Sequence, residues 1–262
     1  MVAGNETKST GVSTMAIGMS LHVGVNYVDT SFYGTEQELR LDKPENDAQA
    51  MAAVAEEEGL APNVLLTGTD ATRERVLTGI ARAAEWLMPG DLFLLSYSGH
   101  GAQVRDDSSD ERGDGMDEVW VLYDSPLKDD DLARSLAKFR SGVRIVIVTD
   151  CCHFGGLSQS LPLLHRSHSG GSIPSLHGLS VAAEVVILAS CGDAELADEN
   201  SPSNLSLFTH ALMRIRRQES ASDYGSLYSQ LFRMVPTARF DTAGPVSSAF
   251  LSSRPFSIAP LP

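Results

Sequence analysis

Short apolar segments alternate with longer amphipathic segments along most of the chain. Residues 91–97 and 144–149 are almost continuously apolar, which is typical of strands buried on both faces of a sheet. Weaker apolar segments predict further strands at residues 21–28, 64–66, 119–123 and 184–189, and a last edge strand at residues 245–252. Apolar positions at helical spacing predict helices over residues 46–58, 72–86, 131–139, 207–216 and 224–234.

Strands that alternate with helices form mostly parallel sheets, because each helix carries the chain back to start the next strand. We therefore expect an α/β fold, a three-layer sandwich with a sheet of six or seven strands and helices on both faces. Residues 1–18 are small and polar without a period, so a flexible arm is expected there and a single domain over residues 19–262. Residues 154–180, rich in Gly, Ser, Pro, Leu and His, are expected to form a mobile loop.

The charge and cysteine content narrow the possible partners and compartment. The formal net charge is −14, from 20 basic and 34 acidic residues, which argues against nucleic acid or an anionic membrane as the main partner. No apolar run reaches the length of about 18 residues that a membrane span needs, and the N-terminus lacks a secretory pattern. Three cysteines, Cys151, Cys152 and Cys191, cannot build a disulfide framework. We therefore expect a cytoplasmic protein.

Two glycine-bearing motifs follow the two most apolar strands, Tyr97-Ser-Gly-His-Gly101 and Thr149-Asp-Cys-Cys-His-Phe-Gly-Gly156. Active sites of parallel α/β sheets lie at this carboxyl edge. A thiol acts as a nucleophile at neutral pH when an imidazole lies beside it, so His100 and Cys152 are a candidate catalytic pair. The backbone amides of Gly101 and Cys152 are candidate oxyanion donors. Taken singly, either side chain is more often structural.

His100 lies 52 residues before Cys152, which matches the spacing in caspases. With further motifs in the same order, the chain resembles the caspase-like cysteine peptidases, above all the prokaryotic metacaspase type (orthocaspases). The motifs are Gly24-Val-Asn-Tyr27, Asn46-Asp-Ala48, Asp70-Ala-Thr-Arg73, Pro89-Gly-Asp91, Ser98-Gly-His-Gly101, Asp114-Gly-Met-Asp-Glu118, Asp150-Cys-Cys-His153 and Pro255-Phe-Ser-Ile258.

The resemblance implies a caspase-like three-layer fold in which Cys152 is the nucleophile and His100 the general base or acid. It also implies that Cys151 replaces a serine that the family usually carries beside the nucleophile. Two residues depart from the family pattern: Phe154 stands in place of a serine and Pro44 in place of a cysteine. These departures affect the expected specificity more than the expected catalysis.

By resemblance, Asp47 and Asp150 line an acidic pocket with Ser98 beside them, and this pocket takes Arg or Lys of a protein or peptide substrate. Two carboxylates facing a guanidinium gain charge-assisted hydrogen bonds that an aspartate substrate cannot make. In the alternative interpretation, Asp47 caps or solvates a helix and Asp150 orients the loop that follows it.

The resemblance also implies calcium as an activator, with no cofactor required for the chemistry. Asp117, Asp129 and Asp130 match the family's calcium ligands, although a charge run of this kind is usually a solvated loop. Arg166 is the one basic residue between Arg144 and Arg214, so self-processing after a basic residue in the loop would occur there. An uncut loop is the alternative.

Three functions remain open at this stage. The first is a cysteine endopeptidase that cuts after Arg or Lys and is a monomer by resemblance. The second is a caspase-like scaffold or binding module with a blocked pair. The third is a thiol-dependent hydrolase or ligase of small molecules, which explains neither the acidic residues nor the family motifs.

Overall fold

The computed structural model describes residues 16–34, 39–105, 116–153, 181–193 and 203–261, with the backbone alone for residues 103–105, 116–117, 152–153 and 191–193. The strands are β1 (Gly18–Gly24), β2 (Asn63–Thr67), β3 (Leu92–Arg105), β4 (Met116–Val121), β5 (Pro126–Lys128), β6 (Arg144–His153), β7 (Glu184–Asp193) and β8 (Ala238–Ala243). The helices are α1 (Thr30–Tyr33), α2 (Pro44–Glu57), α3 (Arg73–Trp86), α4 (Asp129–Leu136), α5 (Leu207–Arg217), α6 (Tyr224–Met234) and α7 (Ser248–Leu251).

The main sheet has the strand order β2-β1-β3-β6-β7-β8. The pairs from β2 to β7 are parallel, and β8 adds an antiparallel edge to β7. The far end of β3 continues beyond the main sheet and pairs with β4, which pairs in turn with β5. The two strands predicted from their apolar runs, β3 and β6, are therefore the central neighbours of the sheet.

Helices cover both faces of this sheet, and alternate strand residues belong to two separate cores. Phe93, Leu95 and Ile147 pack with α1, α3 and α4, whereas Leu94 and Val148 pack with α2, α5, α6 and α7. This alternation follows from the two-residue period of a strand. Burial on both faces also explains why β3 and β6 begin as nearly continuous apolar runs.

The helices follow the predicted capping and apolar patterns. In α3, the Thr72 hydroxyl accepts a hydrogen bond from the amide of Arg75, and Val76, Ile80 and Ala83 form the buried stripe. In α2, Pro44 occupies the first turn, where its missing N–H removes no intrahelical bond.

One predicted element is wrong, and several short elements were missed, among them α1, β5, β8 and α7. Residues 245–252 do not form an edge strand, because the edge is Ala238–Ala243 and the Ser247 hydroxyl caps the short helix Ser248–Leu251. Sequence reasoning missed Pro126–Lys128, which has only three residues and no readable period. The described residues contain eight strands where six or seven were predicted.

Several expectations fall on residues outside the described part of the chain. Residues 1–15 of the expected arm and residues 154–180 lie there, and Gly18 is already the first residue of β1. Among the described residues, no helix is both long and apolar enough to cross a membrane.

Candidate active site

The two candidate catalytic residues occupy matched positions on the central strands. Both strands run further than the sequence predicted, so β3 includes His100 and β6 includes Cys152. The parallel register pairs His100 with Cys152, and Ser98 with Asp150 two residues earlier. The candidate dyad and two of the candidate pocket residues therefore form adjacent rows at the carboxyl end of the sheet.

Helix α2 brings the third pocket residue to these rows. The Ser98 hydroxyl donates a 2.9 Å hydrogen bond to the Asp47 Oδ2 atom. The first turn of α2 can lie this close because β1 ends in a glycine: a Cβ at Gly24 would be 2.5 Å from the Pro44 carbonyl oxygen and 2.9 Å from the Ala48 Cβ. The absence of a side chain at Gly24 therefore sets the position of Asp47.

The His100 imidazole is buried, with 3% of the residue exposed. Burial lowers its pKa to about 4, and a hydrogen bond with the Leu39 backbone acts in the opposite direction. The carbonyl of His100 accepts a 2.8 Å hydrogen bond from the Tyr97 hydroxyl, which also donates to the Val121 carbonyl at 3.1 Å. His100 is thus neutral at pH 7 and able to accept a proton, and its backbone is held from the opposite face of the sheet.

The two adjacent cysteines have different surroundings. Cys151 is buried in the core against α3 and α4, with its Sγ atom 2.8 Å from the Thr149 Oγ1 atom. Cys152 is described by its backbone, which lies beside His100. Gly101, the other candidate oxyanion donor, lies beside His153 in the same ladder. Cys151 is therefore a core residue on the face away from Asp47.

The structure brings Asp47 and Asp150 together through the N-terminus of α5. The Ser206 amide donates to Asp47 Oδ1 at 2.9 Å, and the Ser206 hydroxyl donates to Asp150 Oδ2. Asp150 also accepts bonds from the Ser190 hydroxyl at 2.7 Å and from the Thr209 hydroxyl at 2.8 Å. Sequence reasoning missed these three hydroxyl residues. Ser206 alone carried a signal, as a serine directly before an apolar helix.

The pair of carboxylates is almost completely buried, with exposed fractions of 1% for Asp47 and 5% for Asp150. Burial and, second, the charge of Asp150 raise the pKa of Asp47 to about 8, against the opposite effect of the hydrogen bonds from Ser206 and Ser98. The described part of the chain supplies no lysine or arginine that forms an ion pair with either carboxylate. Two neighbouring acids therefore share this site, and none of the described cations compensates their charge.

The candidate calcium ligands are placed only in part. The Asp129 Oδ1 atom accepts a 2.9 Å bond from the Asp130 amide, and Asp130 forms a 3.0 Å ion pair with Arg134. Asp117 lies on β4, and its side chain is outside the described residues. The described side chains contain no group of three His, Cys, Asp or Glu residues suited to a metal ion. Arg166 and Phe154 also lie outside the described ranges.

Comparisons with known proteins identify the family of the chain. The family model for the caspase domain matches residues 18–253. The chain is 29% identical to metacaspase-2 of Trypanosoma brucei brucei over 67% of this chain and 54% of that protein. It is 30% identical to metacaspase-1A of Neurospora crassa over 60% of this chain and 36% of that protein. The chain thus spans about half the length of the trypanosome metacaspase.

Solved structures agree as well. A crystal structure of a Geobacter sulfurreducens protein is 33% identical, with a TM-score of 0.76 over 93% of this chain and 99% of that chain. Caspase-1 from Spodoptera frugiperda, 15% identical, shares the fold with a TM-score of 0.55 over 94% of this chain and 96% of that chain. The predicted caspase-like three-layer α/β fold is confirmed, and the chain belongs to the caspase domain family.

Proposed function

We propose that the chain is a cysteine endopeptidase of the metacaspase type that hydrolyses peptide bonds after Arg or Lys. The observation that carries the proposal is the pair of buried carboxylates, Asp47 and Asp150, which form no ion pair with a described lysine or arginine. Asp150 lies two register positions before Cys152. A buried carboxylate pair is unfavourable unless a proton or a cation compensates its charge. A guanidinium or ammonium group of a substrate supplies that cation.

The proposed chemistry uses His100 and Cys152 in turn as proton carrier and nucleophile. Neutral His100 accepts the thiol proton of Cys152, and the thiolate attacks the carbonyl carbon of the basic residue. The backbone amides of Gly101 and Cys152 stabilise the oxyanion. His100 then gives its proton to the leaving amine, and water releases the acid product from the thioester.

Peptide hydrolysis tests this proposal directly. Matched fluorogenic peptides ending in Arg, Lys or Asp should be cleaved after Arg and Lys and left intact after Asp. Cys152→Ala should lower the rate by about a thousandfold or more, because the nucleophile is lost. Cys151→Ser is the matched control, since it changes a thiol in the core and leaves the dyad in place, and it should retain activity.

The scaffold interpretation predicts a different outcome of the same assay. If none of the three peptides is cleaved and an alkylating probe does not label the Cys152 thiol, the peptidase proposal is wrong. The chain would then be a binding module with a caspase-like fold.

The pocket residues have their own test. Asp47→Asn and Asp150→Asn each remove one carboxylate charge and should raise KM for the Arg peptide by about tenfold or more, with a smaller effect on kcat. If each substitution lowers kcat/KM equally for the Arg peptide and for a neutral peptide, the two carboxylates are not pocket residues for the basic side chain.

Calcium activation and self-processing belong to the same proposal. Calcium should raise the rate on the Arg peptide and a chelator should reverse this, whereas Asp117→Asn, Asp129→Asn or Asp130→Asn should weaken the response.

If the enzyme matures in the 154–180 loop, mass spectrometry should find fragments that end at Arg166 in the wild type and not in Arg166→Gln. Loop fragments that end elsewhere would contradict Arg166 as the processing site.

The proposal also covers the oligomeric state of the protein and its location in the cell. We propose a monomer that acts on protein substrates in the cytoplasm, where reducing conditions keep the Cys152 thiol available. Sedimentation of the full chain at assay concentrations checks the oligomeric state, and a dimer would contradict it.

A further inference from the structure

The two carboxylates of the pocket do not receive equal hydrogen bonding. Asp150 accepts bonds from three hydroxyl groups, those of Ser190, Ser206 and Thr209, and a fourth bond from the Thr209 amide at 3.2 Å. Two of these residues lie in the first turn of α5 or cap it, where the positive end of the helix dipole favours an anion. Asp150 is therefore held by hydroxyl and amide donors from two elements, β7 and the start of α5.

Asp47 is held by Ser98 and, like Asp150, by Ser206. The Ser98 hydroxyl and the Ser206 amide donate to it, one to each carboxylate oxygen. The charge that acts on Asp47 is that of Asp150, and no cation of the described residues offsets it. Along the elements packed around the pair, the titratable residues near it in sequence with described side chains are Glu45 on α2, His22 on β1, Tyr97 and His100 on β3, Cys151 on β6, Glu184 on β7 and His210 on α5.

We propose that the carboxylates of Asp47 and Asp150 together hold one proton when no substrate is bound, and that a basic substrate side chain displaces this proton to solvent. This inference rests on the proposed function, because it uses the same pocket and the same substrate class. Ser206 is the positioning residue of the device, since its amide and hydroxyl bind the two carboxylates at once.

The charge balance of the step follows directly. The empty pocket has a net charge of −1, and the bound pocket combines two carboxylates with one guanidinium, which is again −1. One proton therefore leaves for each substrate bound. The raised pKa of Asp47, about 8, means that this proton is present at pH 7. As pH falls below 8, the affinity for an Arg side chain should fall by about tenfold per pH unit.

Calorimetry measures the proton directly. Cys152→Ala protein is titrated with a blocked peptide that has one Arg and no other ionisable group, in two buffers of different ionisation enthalpy. The difference in heat should correspond to release of about one proton at pH 7. The same peptide with citrulline in place of Arg, a neutral isostere, should release none.

Substitutions at Ser206 and Asp47 distinguish a role in proton release from a purely structural role. Ser206→Ala removes a hydroxyl donor from the carboxylate pair and should move the midpoint of proton release upward by about one pH unit, and Ser206→Thr should restore it. A serine that only caps the helix would weaken binding at every pH without moving the midpoint. In Asp47→Asn the release should disappear.

The outcomes distinguish this inference from the proposed function. Arg-peptide binding without proton release, or a wild-type KM that does not change between pH 6 and pH 9, overturns the proton device and leaves the Arg preference standing. A wild type that cleaves no Arg peptide overturns both.

Discussion

Single buried ionisable residues make the stability of this protein depend on pH. His22 lies inside the sheet on β1, and its Nδ1 atom is 2.8 Å from the Ser96 hydroxyl oxygen. Its Nε2 atom is buried and has no hydrogen-bond partner among the described residues. Burial lowers the pKa of His22 from 6.5 to about 3, because the imidazolium cannot be hydrated there.

His22 should therefore stabilise the native state fully above pH 6.5 and lose this contribution as pH falls from 6.5 towards 3. His22→Asn retains a polar partner for Ser96 and cannot titrate. Its denaturation midpoint, measured in urea across this range, should be lower at pH 7 and depend less on pH than that of the wild type. If the urea midpoint of His22→Asn changes with pH as steeply as that of the wild type, His22 does not contribute to acid unfolding.

Asp47 has the opposite dependence. Its native pKa of about 8 lies above the ordinary value of 3.8, so its contribution to stability is greatest below pH 3.8 and is lost as pH rises towards 8. Asp47→Asn should therefore lose less stability between pH 4 and pH 8 than the wild type does. Thermal unfolding of the inactive Cys152→Ala background, with and without Asp47→Asn, measures this without self-cleavage.

At the scale of elements, the packing of α2 on β1 determines where the pocket forms. A Cβ at Gly24 would lie 2.5 Å from the Pro44 carbonyl oxygen and 2.7 Å from the Glu45 Cα. Gly24→Ala should force α2 outward, lower the free energy of unfolding by about 1–3 kcal/mol and raise KM for the Arg peptide.

The matched control for this substitution is Gly225→Ala in α6, where a Cβ would meet only the Asp223 Oδ1 atom at 3.4 Å. It should leave both stability and KM close to the wild type. Equal effects of the two alanines on KM would contradict the role of the α2 contact.

The elements that could be predicted were those with a local signature. The apolar runs of β3 and β6 and the capped stripe of α3 were read correctly. The extension of β3 to Arg105 depends on pairing with β4, which only the folded chain supplies. Likewise, Ser190 and Thr209 lie in unremarkable positions of the sequence and become carboxylate ligands through contacts that span 40 and 59 residues.

At the scale of the whole molecule, one buried arginine joins the base of the sheet to the C-terminal segment. Arg144 begins β6, and its guanidinium donates to the Gly90 carbonyl at 2.8 Å and to the Ser257 and Ala259 carbonyls at 3.4 Å. It also lies over the Phe250 ring, with its Cζ atom 5.9 Å from the ring centre. The contacts connect three distant parts of the chain at the edge opposite the candidate site.

Arg144→Met should lower the free energy of unfolding by about 3 kcal/mol or more, because several buried carbonyls lose their donors. Arg140→Met is the control, since Arg140 donates to the carbonyls of Glu85 and Leu87 at a more exposed position. Urea unfolding followed by fluorescence compares the two variants. A loss no larger than that of the control would contradict the role of Arg144.

The main sheet is balanced around the two strands of the candidate dyad, because β3 and β6 each have two further strands between them and an edge. Among the described residues, this main sheet ends at β2 and β8, and the smaller extension of β4 and β5 continues from the far end of β3. A strand that a partner adds at β2 or β8 is therefore separated from the backbone of His100 and Cys152 by two others. Pairing at either outer edge would leave the hydrogen-bond ladder between β3 and β6 unchanged.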